Sequence, residues 1–400
     1  MVSRELYMQR IRPFINNELI KVLTGIRRSG KSVMLELIQE ELKIMGIGDE
    51  QFISLNFEDL NNAPLCDYKA LHKYISEKVN ASDKKMYLFL DEIQEVETWE
   101  KCINSLRVEF DIDIYITGSN AKMLSGELAT YLAGRYVEFV IYPFSFEEFM
   151  LLKGETDNKS AFMDYIKFGG MPFLRNLNYE WTPSKQYLED LYNSVVLKDI
   201  VKRNKIRDVD LLTKIISYII KNIGKTFSAT SISKYFKSEG RIVAPETILN
   251  YIAACESASL FYRARRIELE GKKILTTNEK YYMADLGIRE AVFGGNTKDI
   301  ELVLENIVFM ELLRRGYKVN VGKSGEKEID FVAEKNGQIK YYQVSYILAS
   351  EETKKREFGV LLNVKDNYPK YVLSTDMFDM SEDGIIHKNI SDWLLEKETI

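Results

Sequence analysis

Short apolar runs alternate with stretches of helical periodicity over the first third of the chain. Leu19–Leu23, Phe52–Phe57, Tyr87–Leu90, Ile112–Thr117 and Tyr136–Ile141 are near-continuous apolar runs. Such runs mark strands buried on both faces, as in a parallel sheet. Between the first two, Val33–Met45 carries apolar residues at helical spacing and stops at Gly46, which predicts a helix. The pattern then changes. Phe144–Phe149 opens a helical region interrupted by Gly169, Gly170 and Pro172, and Pro183–Arg203 reads as one long helix. Three short helices follow, at Leu211–Ile220, from a cap at Ser228–Ser231 to Phe236, and from Pro245 to Glu256. Leu260–Glu268 and Lys273–Met283 are spaced to pair as a hairpin. The last hundred residues predict a helix at Glu301–Arg315 and strands at Lys318–Val321, Glu328–Ala333 and Lys340–Tyr346. A helix over Ser350–Leu362 and a strand at Tyr371–Ser374 complete them. The expected fold class is α/β, in four parts: residues 1–150, 151–205, 206–295 and 296–400.

Composition narrows the function classes. The 400 residues are 46% hydrophobic and 29% charged, which suits a folded protein rather than a disordered one. Two histidines, His72 and His387, argue against a histidine-ligated metal site or a Ser-His-Asp hydrolase. Cys66, Cys102 and Cys255 show no paired spacing and fit a reduced compartment. The longest uncharged run, Tyr341–Ser350, is far short of a bilayer span, and the first residues lack the apolar core of a signal peptide. A cytoplasmic protein with no membrane partner is expected.

Gly25-Ile26-Arg27-Arg28-Ser29-Gly30-Lys31-Ser32 lies between the first strand and the first helix and matches GxxxxGK[ST]. Strand, glycine loop and helix form the context that a phosphate-binding loop requires. Its glycines let backbone N–H groups turn around phosphates, and the helix N-terminus adds a favourable dipole. Lys31 is expected to neutralise the β- and γ-phosphates of ATP, and Ser32 to give its hydroxyl to Mg²⁺. Asp91 and Glu92 end the third apolar run, where ligands sit in a parallel sheet. Asp91 is positioned to hold Mg²⁺, and Glu92 to orient and deprotonate the attacking water.

Less decided candidates lie further on. Ser119 and Asn120 follow the fourth run and either sense the γ-phosphate and help hold the water, or form an ordinary turn or cap. Arg135 precedes the fifth run. It either stabilises transition-state charge in a neighbouring subunit's site, which requires a homo-oligomer, or makes an internal ion pair. Arg27 and Arg28 are candidates for phosphate or neighbour contacts.

GIRRSGKS, LFLDEIQEVETWE, ITGSNAKMLSGEL, LAGRYVEFVIYPFSFEEF and FGGMPFL together resemble a family of bacterial and archaeal AAA+ type P-loop ATPases in which a C-terminal domain of unknown function follows the ATPase. The resemblance implies a parallel sheet of order 5-1-4-3-2, with the Ser119-bearing strand between the loop strand and the Asp91 strand. It also implies a winged-helix segment and a nuclease-like C-terminal domain; the helical stretch over 151–205 reads by itself as a lid and linker.

Charge is unevenly distributed. The net charge is −5, yet residues 198–273 sum to +8 and the remainder to −13. A basic three-helix segment with a hairpin wing is an electrostatic footprint for DNA. Lys234, Lys237 and Arg241 lie around its second helix, and Arg263, Arg265 and Arg266 on the wing. The third helix offers only Thr247, Asn250 and Tyr251 to bases, which points to backbone contacts rather than sequence readout. The alternative is a winged helix used for packing or for an unknown protein partner.

The C-terminal order of helix, three strands, helix and strand resembles the PD-(D/E)xK nuclease core. Glu305 and Asp330 match two of its four catalytic positions. Gln343 and Ser345 stand where a carboxylate and a lysine are needed, so little or no cleavage is expected. The combined expectation is a Mg²⁺-dependent ATPase coupling nucleotide state to the winged-helix and nuclease-like parts. Two alternatives stay open: a nucleic-acid-binding regulator that uses ATP as an occupancy signal, and an ATP-coupled nuclease with a relocated catalytic group.

Overall fold

The computed structural model describes residues 2–118, 132–269, 273–325 and 327–397, without the side chains of residues 273–278. The chain forms two compact units, Met1–Tyr142 with Ser257–Ser259, and Pro143–Glu256 with Leu260–Ile400. Among the described residues no helix is long and apolar enough to cross a membrane.

The first unit is a sheet of five strands with helices. Its strands are β1 (Ile20–Thr24), β2 (Phe52–Asn56), β3 (Met86–Asp91), β4 (Ile112–Thr117) and β5 (Tyr136–Val140). All pair in parallel, in the order β2-β3-β4-β1-β5, the order the family resemblance implied. Every residue of β1, β3 and β4 is buried, as continuous apolar runs require. The helices are α1 (Glu5–Ile11), α2 (Lys31–Ile44), α3 (Tyr68–Asn80) and α4 (Trp99–Glu109). Asp67 caps α3 by accepting from the Lys69 and Ala70 N–H groups at 3.0 and 2.9 Å.

One ion pair lies inside this sheet. Lys21 on β1 and Asp113 on β4 are both fully buried and paired. Lys21 also donates to the Asn17 carbonyl at 2.9 Å, and Asp113 accepts from the Asn16 N–H and the Tyr115 hydroxyl, each at 2.9 Å. Extra hydrogen bonds of this kind offset the desolvation of a buried pair.

The second unit starts with helices α5 (Phe146–Lys153), α6 (Asn158–Phe168) and α7 (Trp181–Ser194), the last continuing as a π-helix over Val195–Lys202. The three expected short helices are α8 (Val209–Lys221), α9 (Ala229–Ser238) and α10 (Pro245–Ser257), followed by the expected hairpin, β6 (Phe261–Glu268) and β7 (Lys273–Met283). Then come α11 (Leu286–Val292), α12 (Ile300–Arg314), β8 (Lys318–Ser324), β9 (Lys327–Lys335), β10 (Gln338–Val344), α13 (Glu351–Leu362), β11 (Lys370–Ser374), β12 (Ile385–Asn389) and α14 (Ile390–Leu395). The hairpin does not stand apart. β6 pairs in parallel with β8, giving one mixed sheet of order β12-β11-β10-β9-β8-β6-β7.

Backbone proximity explains the FGGMP segment. A Cβ at Gly169 would lie 2.4 Å from Asp285 Oδ1 and 2.5 Å from the Gly287 nitrogen, and one at Gly287 would lie 1.9 Å from the Phe168 carbonyl. Asp285 closes the junction by accepting from the Gly170 and Ile288 N–H groups at 2.7 and 3.1 Å.

Removing one partner of the Lys21–Asp113 pair strands the other in the core. Asp113→Ala is expected to destabilise the protein by about 3–5 kcal/mol in urea unfolding, while Lys21→Met/Asp113→Leu costs clearly less. A loss below about 1 kcal/mol for the single variant would remove the pair from any central role.

Candidate functional site

The loop between β1 and α2 has the backbone that a phosphate cradle needs. Gly25 has φ +135°, and a Cβ there would meet the Ile141 carbonyl oxygen at 2.2 Å. Gly30 has φ +98°, and Arg28 is left-handed at φ +67°. Lys31 is buried and donates to the Gly25 and Ile26 carbonyls at 3.1 and 3.2 Å. The ammonium is therefore folded back onto the loop that would surround the phosphates. Ser29 is fully buried, and its hydroxyl has no hydrogen-bond partner among the described residues. An unpaired buried hydroxyl is costly, which suits a loop shaped for a ligand.

At the end of β3, Asp91 is 6% exposed and receives hydrogen bonds from several elements. Ser32 on α2 and Thr117 on β4 bond to it, as does Asn56 Nδ2 on β2, at 3.2 Å. Burial pushes the Asp91 carboxyl above the usual carboxylate range, against the hydrogen bonds from Thr117 and Ser32. Thr117 Oγ1 also accepts from the Glu92 N–H at 2.9 Å. Glu92 is left-handed at φ +54°, and its carboxylate accepts from Gln94. Ser32, Asp91, Thr117 and Glu92 are thus one hydrogen-bonded chain at the carboxyl edge of the sheet. A hydroxyl beside a buried carboxylate is an oxygen donor set that fits Mg²⁺.

Other candidates are placed differently. Arg27 pairs with Glu58 at 3.1 Å, and Arg28 is exposed. Arg135 is exposed and donates to Asn104 Oδ1 on α4 at 2.9 Å, within its own unit. Ser119 and Asn120 lie outside the described residues. Sequence reasoning missed Asn56 and Thr117, whose link to Asp91 is a matter of strand register. It also missed Arg4, which is buried and donates to the Ser29 and Tyr142 carbonyls at 3.0 and 2.9 Å. Arg4, the residue before α1, braces the loop, and nothing in the sequence signals it.

In the second unit, half of the expected basic footprint is engaged. Arg241 pairs with Asp208 and Asp210, Arg263 with Glu256 and Glu279, and Arg266 with Glu328. Lys234, Lys237 and Arg265 are exposed, and so is Asn250, whereas Thr247 and Tyr251 are half-buried.

Glu305 on α12 and Asp330 on β9 are brought together, with a lysine the sequence did not signal. Lys280 on β7 is buried and lies 3.4 Å from Glu305 and 2.9 Å from Glu328. Burial raises both the Glu305 and the Asp330 carboxyls. Gln343 Oε1 accepts from the Asp330 N–H at 3.3 Å, and Asp330 accepts from the Val344 N–H at 2.8 Å. Ser345 is buried and donates its N–H to the Leu373 carbonyl at 2.9 Å.

A family model described as an AAA domain matches residues 17–150. The chain is also 42% identical to an uncharacterized protein of Haemophilus influenzae over 99% of both chains. The chain belongs to the AAA family. A second model, described as a domain of unknown function (DUF8612), matches residues 159–299 of this AAA protein. An uncharacterized protein of Methanocaldococcus jannaschii is 31% identical over 84% of this chain and 77% of its own length. Among solved structures, the Aeropyrum pernix ORC2 protein in ADPNP–ADP complexes is similar at TM-score 0.39 and 9% identity, covering 78% of this chain and 93% of that one. A replication initiator DnaA bound to AMPPCP and single-stranded DNA is similar at TM-score 0.34 and 15% identity, covering 63% and 86%. At these scores the two structures carry no functional weight for the AAA protein.

The raised Asp91 carboxyl has a stability consequence. A folded pKa above the unfolded value means that ionisation costs the fold; the cost vanishes in acid and is complete well above the carboxylate range. Ligand-free Asp91→Asn protein is expected to melt above wild type at pH 8, with the gap closing toward pH 4. A lower melting temperature at pH 8 would contradict the desolvated carboxylate.

Proposed function

We propose that this AAA protein is a Mg²⁺-dependent ATPase. The hydrogen-bonded chain of Ser32, Asp91, Thr117 and Glu92 beside the glycine loop is the observation that supports this reading most. The loop amides of Gly25–Ser32, with Arg27, Arg28 and Ser29, surround the phosphates. Lys31 turns from the loop carbonyls to the β- and γ-phosphates, where its contacts become charge-assisted. Ser32 and Asp91 are the residues that would hold Mg²⁺, and the ion would supply charge neutralisation at the phosphates. Thr117 and Asn56 keep Asp91 aimed. Glu92 takes the proton from water as it attacks the γ-phosphate. Ser119 and Asn120 remain γ-phosphate sensors in this reading. The Arg135–Asn104 contact favours an internal role for Arg135 over a role in a neighbouring subunit.

The domain plan of four parts, with a lid over 151–205, a winged helix over 206–295 and a nuclease-like part after it, belongs to the same proposal. Nucleotide state is coupled to DNA bound through the exposed Lys234, Lys237 and Arg265. The group around Lys280, Glu305 and Asp330 acts as an internal ion network rather than a cleavage site, a reading supported by the Lys280 ammonium lying on Glu305 and Glu328.

Lys31→Ala is expected to abolish ATP binding in equilibrium titration. Glu92→Gln is expected to keep binding and lose about 100-fold or more in turnover; full turnover in that variant would refute the assignment. Lys234→Glu/Lys237→Glu is expected to weaken duplex DNA binding and flatten its salt dependence. An unchanged slope would move DNA off this segment.

A further inference from the structure

Two exposed apolar patches lie on the second unit, one among lysines and the other among carboxylates. The first is on the helix pair α9–α10. Ile242, in the turn between them, is 90% exposed, and Tyr235 on α9 is also exposed. The turn is tied to α9: the Arg241 N–H donates to the Phe236 carbonyl at 2.8 Å, and the Ser233 hydroxyl to the Val243 carbonyl at 2.6 Å. Ile242 therefore lies beside the helix that carries Tyr235 and the exposed Lys234 and Lys237. The helix after the turn, α10, has no lysine or arginine of its own. Its Pro245, Leu249 and Ala253 are exposed at four-residue spacing, which makes an apolar stripe. Phosphates have little use for such a stripe, whereas a protein surface does.

The second patch lies where β10 and β11 end side by side. Tyr346 and Ile347 follow β10, Met377 and Phe378 follow β11, and all four are exposed, Phe378 at 80%. The two loops are stapled together. The Thr375 N–H and hydroxyl donate to the Tyr346 carbonyl at 3.0 and 2.6 Å, and the Leu348 N–H donates to the Asp376 carboxylate at 2.7 Å. Asn389 Nδ2 holds the Thr375 and Asp376 carbonyls at 3.1 and 3.2 Å. Large apolar side chains on backbone fixed this well bind without a large ordering cost. Asp379 and Asp383 in the same loop are exposed, as are Glu351 and Glu352 just after the other loop.

We propose that these two patches bind each other between copies of this chain, head to tail. Met377 and Phe378 of one copy meet Tyr235 and Ile242 of the next, and the carboxylates face Lys234 and Lys237. Either patch against its own like would set acid on acid or lysine on lysine, which is costly; the crossed pairing is complementary. Aromatic anchors inside a charged rim are the usual anatomy of such contacts. A crossed contact is heterologous, so it closes into a ring or extends as an open chain. It does not depend on the ATPase reading. It shares Lys234 and Lys237 with the DNA reading, so a duplex and a second copy compete for them.

The test is sedimentation velocity of the full chain, free of nucleotide and DNA, with two variants that change no charge: Tyr235→Ser/Ile242→Ser and Met377→Ser/Phe378→Ser. Wild type at about 100 μM is expected to assemble beyond a monomer. Each variant is expected to lose about tenfold or more in self-affinity. An equimolar mixture of the two variants retains one intact pair of faces, so it is expected to associate again and to stop at a dimer. If a variant fails to fold by circular dichroism, Ile242→Ala and Phe378→Ala take the same places in the mixture. Wild type that stays monomeric, assembly undiminished in either variant, or a mixture that forms no dimer overturns the proposal. Both variants keep Lys234 and Lys237, so such a failure leaves the DNA reading standing.

Discussion

Asp91 sits at the end of a strand with no exposed residue, and its carboxylate has to be kept there by hydrogen bonds from three other elements. This constraint organises the first unit. Thr117 reaches Asp91 only because β4 lies beside β3, and Asn56 only because β2 lies on the other side, with Asn56 opposite Asp91 in register. Ser32 reaches it because β1 lies beyond β4 and delivers the loop to the same edge. The sheet order and the site are therefore one fact. A strand order that separated β3 from β4 would leave the carboxylate without the Thr117 hydroxyl.

The same constraint explains why the site is poised rather than relaxed. Burial opposes ionisation of Asp91, while Thr117 and Ser32 favour it. A divalent cation tips that balance fully toward the carboxylate. Lys31 shows the matching feature on the loop side, with its ammonium on two neutral carbonyls. In the proposed reading, a magnesium–phosphate ligand would engage both groups, as a preorganised site requires.

What the sequence makes legible is what lies contiguous along it. Gly25–Ser32 and Asp91-Glu92 are each one short stretch at a strand end, so their placement at the edge of the sheet reads directly. The short helices α8, α9 and α10 and the hairpin also read well, because period and caps are local signals. Asn56, Thr117 and Lys280 were not legible, since each acts across strands whose register no local pattern encodes. Regional charge misled in part. The +8 over residues 198–273 marked a basic segment as an electrostatic footprint, but Arg241, Arg263 and Arg266 are held by carboxylates, one of them, Glu328, from far along the chain. The pairing of β6 with β8 likewise joins the hairpin to a sheet that the sequence presented as separate.

In the proposed function the Asp91 edge hydrolyses ATP with a divalent cation. A single-turnover experiment addresses it most directly: excess purified chain is mixed with radiolabelled ATP, with Mg²⁺ or with EDTA, and phosphate release is followed. Near-complete conversion in Mg²⁺ and none in EDTA is the expected result. Bound ATP that persists unhydrolysed in Mg²⁺, or hydrolysis that continues in EDTA, would contradict it.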